Sequence, residues 1–266
     1  MTPIESLSVT QPRIADAAAQ LLAVRRGATR PAALPIECAP QSLAEAYAIQ
    51  REVLRLQGAG IAGWKASLVN AEEGVCAPLA HYAVKAAPGH RLTVEQRTKN
   101  TELFSVEPEI AFTLGADLPP LKSDARYERE TVMAAVASTH AVIEVLTSRF
   151  INADRVSALE RAADGLMNEM LIVGPSCPSW SLLKIADLPL TVRVDGKVIH
   201  QGRGGHPLGD PLLPLIWLAN HLSQQGSGLR AGEIVTTGSC NGVRIIHRGQ
   251  SVSAFFQGLG AATVTL

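Results

Sequence analysis

The spacing of apolar positions changes period partway along the chain. Over residues 12–27, Ile14, Ala17, Leu21 and Val24 fall on one stripe of a 3.6-residue repeat, which predicts an amphipathic helix. Arg25 and Arg26 lie where cations suit the negative end of the helix dipole, and Gly27 is placed to close it. After the Pro-containing stretch RPAALPIECAP, Ser42-Leu43-Ala44-Glu45 has the form of a capping box. Ala46, Ile49, Val53 and Leu56 continue at helical spacing as far as Gly58. Residues 1–60 are therefore expected to form an α-helical N-terminal part, and residues 61–266 a separate β-rich catalytic part. Short β-type runs separated by Gly, Pro, Asn and Asp lie at 61–68, 103–114, 140–147, 170–173, 190–194, 197–201, 233–237, 243–247 and 251–256. The runs LTVRV and KVIHQ flank Asp195-Gly196, a two-residue hairpin signal. Helices are expected at 126–137 and 211–224, the second with Asp210 as N-cap and Pro211 in its first position. Strands outnumber helices and cluster late, which predicts a mixed α+β fold on a curled β-sheet rather than regular βαβ alternation.

Composition narrows the class. A chain of 266 residues and 28.2 kDa is long enough to bury roughly 73% of its unfolded surface, so it needs no partner to make a core. Lys plus Arg and Asp plus Glu are 24 each, and a zero net charge offers no field to draw in nucleic acid or an anionic membrane. A hydrophobic content of 47% with 18% charged residues excludes a disordered chain and points to apolar surface buried between subunits of a homo-oligomer. No apolar run reaches the ~18 residues of a membrane span. The opening MTPIESLSVTQPRIAD lacks the basic and apolar regions of a secretory signal, which leads to the expectation of a cytoplasmic protein. Cys38, Cys76, Cys177 and Cys240 form no CxxC and read as reduced thiols; the seven histidines show no HxxxH or HxH, so an imidazole-based metal site is not supported. The Gly-rich run 202–207 matches neither phosphate-loop pattern and reads as a turn into a helix. No GxSxG elbow is present.

Three acids and a lysine stand out. In Val106-Glu107-Pro108-Glu109-Ile110-Ala111-Phe112-Thr113-Leu114 the alternation puts Val106, Pro108, Ile110, Phe112 and Leu114 on one face, and Glu107 and Glu109 together on the other, ~7 Å apart by strand rise. Pro108 cannot donate to a ladder, which places this position at an edge or a bulge. Two carboxylates on one face call for a hard cation, a shared proton or plain solvent. Glu144 is the one carboxylate inside the apolar run His140–Leu146, where it needs a partner; Arg149 is one candidate and a shared cation another. Three acids without a His/Cys cluster make an oxygen-rich set that suits Mg²⁺ or Mn²⁺. Lys65, in Gly63-Trp64-Lys65, either snorkels from an edge or faces this polar site, where it would bind a substrate carboxylate or, with a lowered pKa, move a proton.

Taken in order, GWK at 63–65, VEPEIAF at 106–112, IEVLTSRF at 143–150, ADGLMNEMLIVG at 163–174 and AGEIVTTGS at 231–239 resemble the 2-keto-4-pentenoate hydratases of the fumarylacetoacetate hydrolase superfamily. AYAIQ at 46–50 and PLIWLANHL at 214–222 fit the same pattern. The resemblance implies a β-roll, like the C-terminal domain of fumarylacetoacetate hydrolase, around a divalent cation, preceded by helices. It implies Glu107, Glu109 and Glu144 as metal ligands, Lys65 as the catalytic lysine, and Ser239 and Asn168 as substrate-binding groups. The implied reaction adds water to a 2-hydroxy-2,4-dienoate, a small 2-oxo acid substrate of aromatic catabolism, and gives a 4-hydroxy-2-oxo acid. Decarboxylation of a 4-oxalocrotonate-like diacid, or service as a weakly active metal-binding partner subunit, are the alternatives. Two positions depart from the family pattern: the stretch 73–79 lacks the usual acid, leaving Glu72 or Glu73 as substitutes, and Thr147 stands where the family has Asp before Ser-Arg.

Overall fold

The change of period at residue 61 is a change of architecture. A computed structural model describes residues 11–86, 92–93, 103–122 and 124–266. The expected absence of a leader falls on residues 1–10, outside the described residues.

Helix α1 (Pro12–Arg25) buries Ile14, Ala17, Ala18, Leu21 and Leu22. In α2 (Leu43–Gln57) the Ser42 hydroxyl accepts the Glu45 N–H at 3.2 Å, and Gly58 closes the helix in the left-handed region. The Glu45 carboxylate takes the N–H of Gln41 at 2.9 Å, so the return half of the capping box is shifted by one residue. Helix α2 packs on α1 and on a short helix that the sequence pattern did not mark, α4 (Ala158–Ala163), although its Ser157-x-x-Glu160 cap has both reciprocal bonds. Ile14, Leu21, Ile49 and Val53 form one cluster with Phe150, Val156 and Ala162, so residues far along the chain complete the core of the helical part.

The main sheet runs β2 (Gly74–Ala80), β1 (Ile61–Leu68), β10 (Ile234–Ser239), β5 (Leu103–Leu114), β6 (Val136–Leu146), β7 (Asn168–Val173) and β3 (Val84–Ala86), with β11 (Arg244–His247) paired to the first part of β5. A second sheet runs β4 (Leu92–Thr93), β13 (Gly260–Thr265), β12 (Ser251–Phe256), β8 (Pro189–Val194) and β9 (Lys197–Arg203). Pairs β1–β10, β3–β7 and β4–β13 are parallel and the others antiparallel, which makes both sheets mixed. Phe104, Val106, Ile110, Phe112, Ile143 and Val145 pack with Val192, Val252, Phe256 and Val264 of the second sheet. Each such side chain contributes about 1.5–3 kcal/mol on burial. Helix α5 (Leu212–Gln224) packs on β10, β1 and β2.

Strands β2, β3, β4 and β13 were not anticipated; β2 and β13 are built largely from Gly, Ala and Pro, which carry little strand preference. The helix expected over 126–137 is the single short α3 (Arg129–Ala134), because Val136 already enters β6. Helix α5 begins one residue late: Pro211 is its N-cap, while Asp210 Oδ1 still accepts the N–H of Leu212 at 2.9 Å. Asp195 and Gly196 both take positive φ, as the tight hairpin between β8 and β9 needs. All four cysteines are free thiols. Among the described residues no helix is long and apolar enough to cross a membrane.

Candidate metal centre

The alternation of β5 puts Glu107 and Glu109 on one face, and the β5–β6 register sets Glu144 directly opposite Glu107. Like charges opposed across a ladder repel, yet one carboxylate oxygen from each of the three lies within 4.8 Å of the others. Glu144 is fully buried, Glu109 is 1% exposed and Glu107 is half-buried. The same face continues into a small apolar floor of Leu79, Ala111, Val142, Leu171 and Ile234.

Pro108 sits in a central strand, and of the edge and the bulge expected for it, the bulge is what occurs. Its carbonyl accepts the Cys240 N–H at 2.9 Å, so its missing N–H falls on the β10 side, where pairing breaks between Thr236 and Ser239. At that break Gly238 takes φ +100, which turns its N–H onto Glu109 Oε2 at 2.9 Å. The Thr236 hydroxyl donates to the same oxygen. One oxygen of Glu109 is thus held by the protein, and the other is left for the cluster.

Lys65 projects from β1 and is 7% exposed. Its Nζ lies 2.7 Å from Glu144 Oε2, an ion pair outside hydrogen-bonding geometry, and donates to the Leu166 carbonyl at 3.1 Å. The snorkelling alternative does not hold, and neither does a Glu144–Arg149 pair, since Arg149 is taken by Asp164 and Glu169. Asn168 is buried, and its amide donates to Glu144 Oε1 at 2.6 Å. Lys65 and Asn168 thus reach Glu144 from either side. Between α4 and β7, Gly165, Leu166 and Met167 have φ of 67°, 54° and 63°. For the two residues with side chains, that conformation costs about 1–2 kcal/mol each.

The electrostatics follow from the packing. Burial, then the charges of Glu144 and Glu107, push the Glu109 carboxyl up to about 8. Burial also raises Glu107, with Lys65 opposing and Glu144 adding. Burial works against the Lys65 ammonium, but Glu144, Glu109 and Glu107 outweigh it and the net shift is upward. Lys65 therefore stays protonated, and the lowered pKa that a basic lysine requires is absent. Three clustered carboxylates facing one ammonium, with one Glu144 oxygen lacking a hydrogen-bond donor among the described residues, form a donor set that fits a hard divalent cation. Metal-free protein should accordingly lose thermal stability as pH rises from about 5 to about 8. In that window the folded Glu109 carboxyl holds a proton that the unfolded one, titrating near 4.3, has given up, so folding becomes less favourable with rising pH. Calorimetric scans in chelator check this; a midpoint that is flat or rises across the window would count against it.

A cavity of about 300 Å³ opens over Lys65, Glu107 and Glu109, with Ser239 at its wall and Val243 among its lining residues. The Ser239 hydroxyl accepts the N–H of Asn241 at 3.3 Å, and Ser239 lies opposite Glu109 in the ladder. Asn168 does not line this cavity. The Gly-rich run read as a plain turn supplies one wall through Gly205 and His206. His206 is buried, receives Leu208 N–H on Nδ1 at 3.3 Å and approaches the Thr237 carbonyl with Nε2 at 2.8 Å. That pairing fixes Nε2 as the protonated nitrogen and braces the turn carrying Gly238. Glu72 and Glu73 lie in an exposed turn, with their N–H groups on Asn70 Oδ1 at 2.9 and 3.0 Å, and belong neither to the acidic cluster nor to the cavity wall. Thr147 Oγ1 is buried and has no hydrogen-bond partner among the described residues.

The chain is 29% identical over 160 residues to the 2-keto-4-pentenoate hydratase of Burkholderia vietnamiensis (strain G4 / LMG 22486), covering 60% of this chain and 59% of that protein. It is 30% identical over 156 residues to the 2-keto-4-pentenoate hydratase of Paraburkholderia phymatum, covering 59% and 58%. The chain thus spans a little under three-fifths of the length of these relatives. In fold it superposes on 4-oxalocrotonate decarboxylase from Pseudomonas putida G7, complexed with magnesium and adipate, with a TM-score of 0.81 at 22% identity, over 95% of this chain and 97% of that one. Residues 64–266, which carry every residue of the acidic cluster and its lysine, match the fumarylacetoacetate (FAA) hydrolase C-terminal family, and the chain belongs to that family.

Proposed function

We propose that this protein is a divalent-metal-dependent hydratase that adds water to a 2-hydroxy-2,4-dienoate and gives a 4-hydroxy-2-oxo acid in aromatic catabolism. The observation that carries the reading is the cluster of Glu107, Glu109 and Glu144 with the protonated Lys65 set against it at the base of a small cavity. The three carboxylates would hold the cation, Mg²⁺ or Mn²⁺, which would supply Lewis-acid chemistry toward a 2-oxo acid. Lys65 supplies a positive charge and a transferable proton at Nζ, next to the oxygens where negative charge develops as the double bonds shift. Ser239 offers its hydroxyl proton to the substrate from the cavity wall, while one of its lone pairs accepts the N–H of Asn241. Asn168 keeps Glu144 oriented.

Beyond the acids the wall mixes the apolar Leu68, Pro207, Leu208, Pro214 and Val243 with the polar Ser67, His206, Thr237 and Ser239, and among the described residues that line it Lys65 is the one cation. The lack of a second cation there supports a substrate with one carboxylate, and so hydration over diacid decarboxylation. The reading includes a homo-oligomer in the cytoplasm, supported by the apolar composition and by Leu103, Val243 and Ile245, each at least half exposed near the β5–β11 ribbon. Purified protein with Mn²⁺ should consume 2-hydroxypenta-2,4-dienoate, followed by loss of its ultraviolet absorbance, and a chelator should stop it. Release of CO₂ from 4-oxalocrotonate without dienoate hydration would transfer the assignment to a decarboxylase, and no turnover of either would support the partner-subunit alternative.

A further inference from the structure

The turn that carries Leu166 and Asn168 is more constrained than the end of a helix requires. Helix α4 finishes with Gly165 N–H on the Ala162 carbonyl at 2.9 Å and Leu166 N–H on the Arg161 carbonyl at 3.0 Å, a pattern that needs one left-handed residue, Gly165. Leu166 and Met167 follow in the same region, which residues with side chains occupy only when their surroundings impose it. The outcome is specific. The Leu166 carbonyl faces Lys65 Nζ, and Asn168 enters β7 at an irregular register step with its amide on Glu144.

Buried charge imposes this path. Arg149 is 2% exposed; its Nε and its backbone N–H engage the two carboxylate oxygens of Asp164. Its Nη2 donates to the main-chain carbonyls of Asp164 at 3.0 Å and Asn168 at 3.2 Å, and its Nη1 to Glu169 at 3.0 Å. Arg25 reaches in from α1 and donates to the same two carbonyls at 3.5 and 3.2 Å, 3.6 Å from Glu169. Two guanidinium groups thus grip the carbonyls at both ends of the turn, with donors in a fixed fork that no ammonium reproduces. None of these four side chains lines the cavity.

We infer that Arg149, Asp164, Glu169 and Arg25 form a positioning clamp that holds the turn from Gly165 to Asn168 in its left-handed path, so that Lys65 and Glu144 keep their orientation at the metal centre. The inference rests on the metal-centre part of the proposed function and not on the identity of the substrate. Loss of groups that orient a metal ligand typically costs 10–100-fold in affinity or activity. Arg149→Lys keeps the charge and loses the fork. It should weaken Mn²⁺ binding, read from the electron paramagnetic resonance of the free ion, by about tenfold or more. It should also lower kcat at saturating Mn²⁺ with little change in KM. Arg25→Met should do the same to a smaller extent, with Arg25→Lys recovering part of the loss. Should Arg149→Lys not fold, Arg25→Met, which leaves the Arg149–Asp164 pair in place, decides alone. Folded variants that bind Mn²⁺ within twofold of wild type while their thermal midpoint falls would make the network a brace between α1 and the sheet and overturn the inference. Wild type that binds Mn²⁺ but hydrates no dienoate overturns the proposed substrate alone, and the Mn²⁺ comparison still decides the clamp. Wild type that binds no Mn²⁺ overturns both.

Discussion

Glu109→Gln is expected to weaken Mn²⁺ binding by about 100-fold or more and to remove most turnover, with excess Mn²⁺ restoring part of the rate. The size of the effect comes from geometry as well as charge. Glu109 Oε2 is fixed by two donors, the Thr236 hydroxyl and the Gly238 N–H. A glutamine must turn its amide oxygen to the same donors, because its NH₂ would oppose the Gly238 N–H. The NH₂ is then left pointing into the carboxylate cluster, where a hard cation meets hydrogens in place of an anionic oxygen. Metal-free stability should move the other way. With Glu109 neutral at every pH, the burial and the neighbouring charges that push its carboxyl up to about 8 no longer act on it, so the chelator-treated variant should melt above wild type at pH 8. A substitution that merely damages the fold lowers both quantities. Calorimetric titration with Mn²⁺ and thermal scans in chelator separate the two cases, and a variant that binds Mn²⁺ as wild type does would take Glu109 out of the ligand set.

The acidic cluster was legible because strand alternation is a strict rule: Glu107 and Glu109 had to share a face once 106–114 was a strand, and an acid within the apolar run 140–146 had to find a partner. That the partner is Lys65 depends on the parallel pairing of β1 with β10 beside β5, a long-range arrangement that no local pattern encodes. The hydrogen bonds to Glu109 were hidden for a related reason. Thr236 and Gly238 act through a bulge, and Pro108 advertised a bulge or an edge without saying which neighbour would carry it. Asn168 reaches Glu144 through a turn in which Leu166 and Met167 defy their own backbone preferences, and propensity argues against such a path until Arg149 and Arg25 are seen to enforce it. His206 was covered by the glycines around it, which read as punctuation in the sequence and become a cavity wall in the fold. Helix α4 was legible in principle, since Ser157-x-x-Glu160 is as clear a cap as the one that marked α2.

Lys65→Met is expected to separate chemistry from metal binding. Turnover should fall by ~100-fold or more, the usual size of a lost acid–base contribution, and no concentration of Mn²⁺ should restore it. Mn²⁺ affinity should stay level or rise, because the ammonium that stands 2.7 Å from Glu144 Oε2 no longer competes for that carboxylate. The metal-free variant should be markedly less stable than wild type. Glu144 is fully buried, and removing the one cation beside it leaves an uncompensated charge, a change that costs about 3–5 kcal/mol in buried pairs. Saturating Mn²⁺ should recover much of that loss, since an ion at 100 times its Kd adds about 2.7 kcal/mol through binding to the folded state alone. The signature is thus an enzyme that is fragile without metal, stable with it, and inactive in both states. Steady-state rates across a Mn²⁺ titration, paired with thermal scans with and without the ion, read all three. If Lys65→Met turns over within a few-fold of wild type, Lys65 is a counter-ion that holds Glu144 in the metal-free protein, and the proton must come from another group on the cavity wall, with the three carboxylates still in place as the site of the cation.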